Sequence, residues 1–425
     1  MSGLGAVVIG GGTAGLAAGY HLGRVGVDCV VLERDRIGET WRSQRWDSFV
    51  LNTPAWYSRM PGDPEPTGDE RDVFASAPAF LGRLEAYAAR HGIAVRTGAT
   101  VTHVAAADTP AGGLVVSVDG PDGHEELGAP SVVVASGILN VPRLPSIAGS
   151  LPAGIRQLTA ASYRRPADLP PGAVLVVGSA QSGVQIAEDL VAGGRVVYLS
   201  TSSVGRAPRR YRGADMFEWL AHAGFFDRTP DQLPEPRTRF PANPQTSGVG
   251  PLGHTVSLQS LAALGVTLLG RPRSVDGDRL LLDDTLGANI AVGDRVSADL
   301  KALADRYIAA TGQTPAPIDP DPADEPHPDP ASIHSPAELD LDRAGIGAVV
   351  WATGFRGDFS YLPRAAVGDD GQPIHERGVA AVPGLFFVGF PWLTKQKSGI
   401  VNGVGEDAER IAGHIARRVP ADAPR

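Results

Sequence analysis

Ala6-Val7-Val8-Ile9-Gly10-Gly11-Gly12-Thr13-Ala14-Gly15 opens the chain with a short apolar run and then a glycine-rich turn. The apolar run reads as a buried strand, the glycines as a tight turn, and the Ala/Leu-rich stretch from Leu16 as a helix. In this G-x-G-x-x-G spacing Gly10 permits the turn, Gly12 lets the backbone approach a pyrophosphate, and Gly15 lets the helix pack on the sheet. The helix N-terminus then faces the phosphates, which makes Thr13 and Ala14 candidate contacts as well. Cys29-Val30-Val31-Leu32 reads as a second strand that ends on Glu33. A carboxylate there accepts hydrogen bonds from both hydroxyls of a ribose.

The same pattern recurs. Val174-Leu175-Val176-Val177 leads into Gly178-Ser179-Ala180-Gln181-Ser182-Gly183, a helix with Val184, Ile186, Ala187 and Leu190, and then Arg195-Val196-Val197-Tyr198-Leu199. Ala180 stands where the middle glycine is usual. No acid follows Leu199. The chain reads Ser200-Thr201-Ser202-Ser203-Val204-Gly205-Arg206, with Arg209 and Arg210 beyond. A missing carboxylate and nearby guanidinium groups suit a ribose 2′-phosphate, so this copy is expected to take NADPH rather than NADH. Its candidate contacts are Gly178, Ser179, Gln181, Ser182, Gly183, Ser200 and Arg206.

Each copy has a matching later strand, Val132 to Gly137 for the first and Val349 to Gly354 for the second. Leu385 to Gly389 reads as a returning strand of the first copy, followed by a helix with Val404, Ala408, Ile411 and Ile415 on one face. The expected fold is α/β, with two Rossmann-like dinucleotide-binding domains, the second inserted into the first. Residues 1–160 plus 341–425 form the first and 161–340 the second. Helices are expected over 78–91, with Phe80, Leu84, Tyr87 and Ala88 on one side, and over 297–310. Residues 313–336, rich in Pro and Asp, read as a linker, and 207–255 as an irregular insertion.

The chain has 425 residues, enough for two cores, with 43% hydrophobic and 20% charged residues. A formal net charge of −9 disfavours nucleic acid or an anionic membrane surface as partner. No basic leader precedes the first strand and no apolar run is long enough to span a bilayer, so a cytoplasmic setting is expected. Cys29 is the single cysteine, which excludes a redox thiol pair within one chain. The histidines show no metal-ligand spacing, and Ser136 and Ser182 lie outside any nucleophile-elbow pattern.

These residues resemble the class B flavin-dependent monooxygenases, the flavin-containing monooxygenase superfamily. The likeness is to its short bacterial branch, related in pattern to indole-pyruvate monooxygenases. It rests on Gly10 to Gly15 with Glu33, on Thr40-Trp41-Arg42, Leu51-Asn52-Thr53-Pro54 and Gly178 to Gly183. It continues through Trp351-Ala352-Thr353-Gly354-Phe355, Lys397-Ser398-Gly399 and Gly403 to Asp407. The resemblance implies FAD on the first turn, with Glu33 and Arg34 flanking its ribose and adenine. Trp41 and Arg42 would line the flavin's path, Asn52 and Thr53 would approach its ring, and Thr353-Gly354 would form a hinge. Val101, Ala135, Gly389 and Val404 would complete the cofactor shell. The turn at 403–405 would aim a helix N-terminus at the flavin, and Lys397, beside Lys395, would stabilise its anion or hold an acidic substrate.

The implied activity is NADPH-dependent oxygenation of a small organic substrate through a flavin C4a-hydroperoxide formed from molecular oxygen. The attacked atom would be an amine nitrogen, a sulfide sulfur or a carbon of an oxo acid. Asn52 and Lys397 are the candidate catalytic residues. One departure stands out. The superfamily's linker motif F-x-G-x-x-x-H-x-x-x-Y/F ends here on Tyr163, but Thr159 replaces His, Ile155 replaces Gly and Ala153 replaces Phe. Two other readings stay open: an NADPH-dependent dehydrogenase or oxidase without oxygen insertion, and a non-catalytic nucleotide sensor.

Overall fold

The computed structural model describes residues 4–108, 112–233, 243–318 and 320–418. The chain enters with β1 (Ala6–Ile9), α1 (Thr13–Arg24) and β2 (Cys29–Glu33), and the strands pair in parallel from Ala6–Cys29 to Ile9–Leu32. The short helix α2 (Glu39–Ser43), then α3 (Ala77–Arg90) and β3 (Val95–Thr97) follow. An antiparallel meander comes next: β4 (Thr100–Ala106), β5 (Leu114–Gly120) and β6 (Gly123–Ala129). β7 (Val132–Val134) then pairs in parallel with β1. All residues of β1 and β7 are buried, as a parallel strand covered on both faces requires.

Beyond β7 the chain leaves this sheet through β8 (Val141–Pro142) and builds β9 (Arg156–Thr159), β10 (Ala173–Val177), α4 (Gln181–Ala192) and β11 (Val197–Ser200). A hairpin of β12 (Arg210–Tyr211) and β13 (Ala214–Asp215) leads into α5 (Met216–His222). Then come α6 (Leu258–Ala263), β14 (Thr267–Leu269), β15 (Pro272–Asp276), β16 (Arg279–Leu282) and α7 (Leu286–Thr311). β17 (Glu338–Asp340) and β18 (Ile346–Trp351) complete this part. Its five-stranded sheet runs β14-β11-β10-β18-β9, parallel throughout.

The chain returns through β19 (Phe355–Arg356), β20 (His375–Glu376), β21 (Val379–Ala380) and β22 (Leu385–Phe387), and ends on α8 (Val404–Ala416). β22 pairs in parallel with β7, so the seven-stranded sheet reads β20-β21-β22-β7-β1-β2-β3. β19 pairs antiparallel with β8, which ties the outward and return passages to each other. In α8, Val404, Ala408, Ile411 and Ile415 are all buried in the core that also holds Leu16, Ala17 and Leu22 of α1. The Val, Leu and Ile side chains among them contribute about 1.5–3 kcal/mol of burial each.

Three differences from the sequence reading have physical causes. β9 and β18 both lie in the five-stranded sheet, outside the span 161–340 expected for the second unit. β9 is an edge strand with two exposed residues, so its apolar signal is weak. α7 starts at Leu286 rather than 297, with Gly287 and Gly293 inside it. Gly287 lets the helix pack against the Pro330 carbonyl, which a side chain would overlap. Residues 207–255 carry a hairpin and a helix whose Phe217 and Trp219 are buried with Tyr57 and Phe226. Within that span, 234–242 lie outside the described residues.

Candidate functional site

The two glycine turns are built alike. Gly10 has φ +110° and Gly178 has φ +104°, the left-handed region that glycine alone enters cheaply. A side chain on Gly10 would meet the Ala135 carbonyl oxygen at 2.6 Å, and one on Gly178 the Ala352 carbonyl oxygen at 2.6 Å. A side chain on Gly15 would overlap the Gly10 carbonyl, and one on Gly183 the Gly178 carbonyl. Each turn therefore presses a helix against its own strand. Ser76, Asp215 and Ser257 cap α3, α5 and α6 with their side chains, whereas α1 and α4 begin at Gly12 and Ala180 with no side-chain cap and no acid in the first turn. A Cβ on Gly12 would meet nothing within 4 Å. At Gly12 an uncapped helix start beside open space fits a pyrophosphate.

Glu33 is fixed where a ribose needs it. Its Oε2 accepts from the Gly11 N–H at 2.7 Å and its Oε1 from the Asp35 N–H at 3.0 Å. A carboxylate has further lone pairs, so ribose hydroxyls still fit. The second turn aligns by its hydrogen bonds: Gly10 N–H donates to the Leu32 carbonyl and Gly178 N–H to that of Ser200. The residue after each acceptor is Glu33 in the first copy and Thr201 in the second. Thr201 is buried, its hydroxyl donating to the Leu269 carbonyl at 2.8 Å and accepting from Asn289 Nδ2 at 3.0 Å. No acid stands at the ribose position of the second copy.

Arg206 does not serve that copy as the sequence suggested. It is 2% exposed, its Nη1 bound to Asp294 and its Nε 3.2 Å from Asp324 Oδ1. With both carboxylates and the Asp324 carbonyl as partners, its fork has no face left for a phosphate. Arg209 is likewise buried on Asp215. Ser200 is also corrected: its buried hydroxyl donates to the Gly270 carbonyl at 2.9 Å and braces β11 against the loop after β14. Arg210 remains exposed. Ser179 is buried, and its Oγ accepts from the Ser202 N–H at 2.9 Å.

A segment that the sequence left unassigned lies along α4. Gln181, Gln185 and Glu188, at i, i+4 and i+7, form one polar stripe. Gln181 Oε1 accepts from the Thr246 N–H at 2.8 Å and its Nε2 donates to the Ser247 carbonyl at 2.5 Å. Gln185 Nε2 reaches the same carbonyl at 3.2 Å. Glu188 accepts from the Val249 N–H at 3.0 Å and pairs with His254 at 2.7 Å. Gln245 Nε2 donates to the Ser179 carbonyl in the turn itself at 2.5 Å. Gln181, expected at a cofactor, is thus committed to holding residues 246–247. The stripe was visible as a spacing, but its partner lies about sixty residues on in a segment without periodicity.

The remaining candidates divide. Asn52 is half-buried, and its carboxamide makes no hydrogen bond among the described residues, while its carbonyl lies 3.5 Å from Thr246 Oγ1. Thr53 Oγ1 lies 2.6 Å from Ser58 Oγ. Trp41 packs against the first core, 4.9 Å from the Phe80 ring. Arg42 is turned to the surface, paired with Glu85 of α3 at 2.7 Å. Arg34 is exposed beside Asp35. Val101 lies on β4, two residues beyond Ala99, whose N–H donates to the Glu33 carbonyl at 2.9 Å. Gly389, at φ +85°, passes close enough to Ala14 that a side chain would collide. Thr353 Oγ1 donates to the Arg143 carbonyl and the Arg143 N–H to the Gly354 carbonyl at 2.9 Å, a clasp across the two passages. Val404 is buried at the start of α8, and Ser182 is half-buried in the first turn of α4.

Lys397 is not a free cation. Its Nζ lies 2.9 Å from Asp227 and 2.5 Å from Glu406, and Lys395 Nζ reaches the same two carboxylates at 2.9 and 2.8 Å. This closed cluster ties the turn after α5 to the first turn of α8. Burial raises the Asp227 and Glu406 carboxyls, but the lysines outweigh it and both end below the ordinary range. The Cys29 thiol is pushed up to about 11 by burial and by Asp28, so it is not a thiolate at neutral pH. No helix among the described residues is long and apolar enough to cross a membrane.

The profile of the pyridine nucleotide-disulphide oxidoreductase family matches residues 7–214. The uncharacterized CzcO-like oxidoreductase of Geobacillus kaustophilus is 30% identical over 419 residues, covering 96% of this chain and 97% of its own. Indole-3-pyruvate monooxygenase YUCCA1 of rice is 35% identical over 215 residues, covering 50% of this chain and 52% of its own. A variant of the flavin monooxygenase from Stenotrophomonas maltophilia shares the fold with a TM-score of 0.65 at 21% identity, over 98% of this chain and 99% of that one. Two glycine turns, each at the end of a parallel strand, have the geometry of a dinucleotide-dependent oxidoreductase. The chain belongs to the family of the CzcO-like oxidoreductases.

Proposed function

We propose that this protein is an NADPH-dependent FAD monooxygenase acting on a small organic substrate, by N- or S-oxygenation or by oxygenation of an oxo acid. One observation carries the reading: two uncapped turns, each at the C-terminal end of a parallel strand in its own sheet, of which only the first has a carboxylate at the ribose position. The Glu33 turn takes FAD. The Thr201 turn takes NADPH, because no acid there repels a 2′-phosphate, and exposed Arg210 is the guanidinium left to meet it. Each sheet with its helices is then a dinucleotide-binding unit, the second inserted into the first. Bound FAD supplies hydride acceptance and oxygen activation.

The chain's own residues bind, orient and exclude water. Asn52 offers an uncommitted carboxamide between the first unit and Thr246 of the second. Residues 245–249, held on α4 by its polar stripe, border the second turn through the Gln245–Ser179 hydrogen bond. The β8–β19 pair and the Thr353 clasp fix the passage between units. The likeness to the rice indole-pyruvate monooxygenase supports oxygen insertion.

A second reading, oxidation of NADPH without oxygen insertion, is favoured by Thr159. It ends β9 level with Trp351, which pairs with Val177 before the second turn, at the position where the superfamily's linker motif carries His. Turnover under labelled dioxygen separates the two, with a thioether, a tertiary amine and an aromatic 2-oxo acid as probes. Label in a product supports the monooxygenase. Peroxide equal to NADPH consumed with every probe supports the oxidase.

A further inference from the structure

Residues 41–49 strap two hydrophobic cores together. Trp41 packs against the first core, Trp46 is buried in the second beside Tyr163 and Val184, and Phe49 touches both. Asp189 of α4 secures the strap, accepting from Ser48 Oγ at 2.6 Å and from the Tyr163 hydroxyl at 2.5 Å. Arg45 lies inside this strap. Its guanidinium carbon sits 4.9 Å over the Trp41 ring and 5.2 Å over the Phe49 ring.

Arg45 lacks a counter-charge. Its Nη1 donates to the Gln44 carbonyl at 2.9 Å, its Nε is buried without a partner, and no carboxylate pairs with it among the described residues. The contrast with the other deep arginines is sharp: Arg206 has Asp294 and Asp324, and Arg209 has Asp215. Burial alone acts on Arg45 and lowers its pKa to about 10. A buried guanidinium without a partner is costly, and a planar fork set against two neighbouring aromatic rings is held in place for a planar oxyanion. The residue is half-buried: its Nε is covered, while its Nη2 is neither covered nor hydrogen-bonded among the described residues and is the atom a ligand would meet.

We propose that Arg45 is an oxyanion-recognition residue between the two cores, its counter-charge the carboxylate of an acidic substrate or the phosphate of a bound dinucleotide. The inference rests on the proposed function only in expecting such ligands there. Titration calorimetry of the holoprotein tests it with benzoate, its neutral isostere benzamide, and NADP⁺, in the wild type, Arg45→Gln and Arg45→Lys. Arg45→Gln should weaken either benzoate or NADP⁺ by about tenfold or more and leave benzamide unchanged, with Arg45→Lys recovering part of the loss. Loss for benzoate assigns a substrate carboxylate; loss for NADP⁺ assigns a dinucleotide phosphate. Unchanged affinity for both anions, or a parallel loss for benzamide, overturns the proposal. If Arg45→Gln does not fold, Arg45→Lys decides, because the lost fork should still weaken the same anion, and unchanged binding would overturn it. None of these readouts needs turnover, so a failure to oxygenate any probe leaves them intact.

Discussion

Asp324 holds Arg206 twice, through its carboxylate Oδ1 at 3.2 Å from Nε and through its backbone carbonyl at 2.8 Å from Nη2. The guanidinium is structural. Arg206→Ala removes it and leaves Asp294 and Asp324 short of a cation, with Lys301 still 2.7 Å from Asp324. Breaking a buried pair from one side costs about 3–5 kcal/mol. Urea unfolding should show a loss of that order, while the ratio of NADPH to NADH efficiency stays as in the wild type. A ratio that collapses in a fully stable variant would return Arg206 to the cofactor.

The glycine turns separate binding from folding. Gly12 has open space at its Cβ and Gly183 has the Gly178 carbonyl. Gly12→Val should therefore keep the melting temperature of the apoprotein and lose FAD. Gly183→Ala should cost about 1–3 kcal/mol through overpacking before any effect on NADPH is seen. Equal FAD content in Gly12→Val and wild type would remove FAD from the first turn.

What the sequence made legible was local. Gly10, Gly15, Gly178 and Gly183 are read from backbone need within a few residues, and the strands after them from apolar runs. The fate of Arg206 depended on acids 88 and 118 residues away, and no spacing rule reaches that far. Trp41 and Trp46 look equivalent in sequence, yet one joins the first core and the other the second. That choice is made by tertiary packing. Lys397 read as a free cation because Asp227, its partner, lies in a segment that showed no regular pattern.

The His254–Glu188 pair gives the second unit a pH dependence. The hydrogen bond to Glu188 outweighs burial and raises the imidazole above its ordinary 6.5. The added stability is fully present below that ordinary value and is lost as pH rises through the raised one. Thermal unfolding followed upward from pH 6.5 should show this decline in the wild type and a flatter profile in His254→Gln. Identical profiles would show that residues 245–254 do not depend on the pair.

The Lys395–Lys397–Asp227–Glu406 cluster acts on the opposite limb. Its carboxyls are held below their ordinary values, so their contribution is present above those values and is lost as pH falls through the lowered ones. Lys397→Met should blunt this acid loss of stability and leave the rate of flavin reduction unchanged. Slowing by about tenfold or more would restore Lys397 as a catalytic candidate.

Anaerobic mixing of the purified yellow protein with NADPH or NADH, followed by the visible flavin absorbance, tests the central claim most directly. Two dinucleotide sites serving one flavin predict that the absorbance bleaches with both and faster with NADPH, and that acid release yields FAD. Protein without flavin, a flavin that neither nucleotide bleaches, or faster bleaching with NADH would contradict the account.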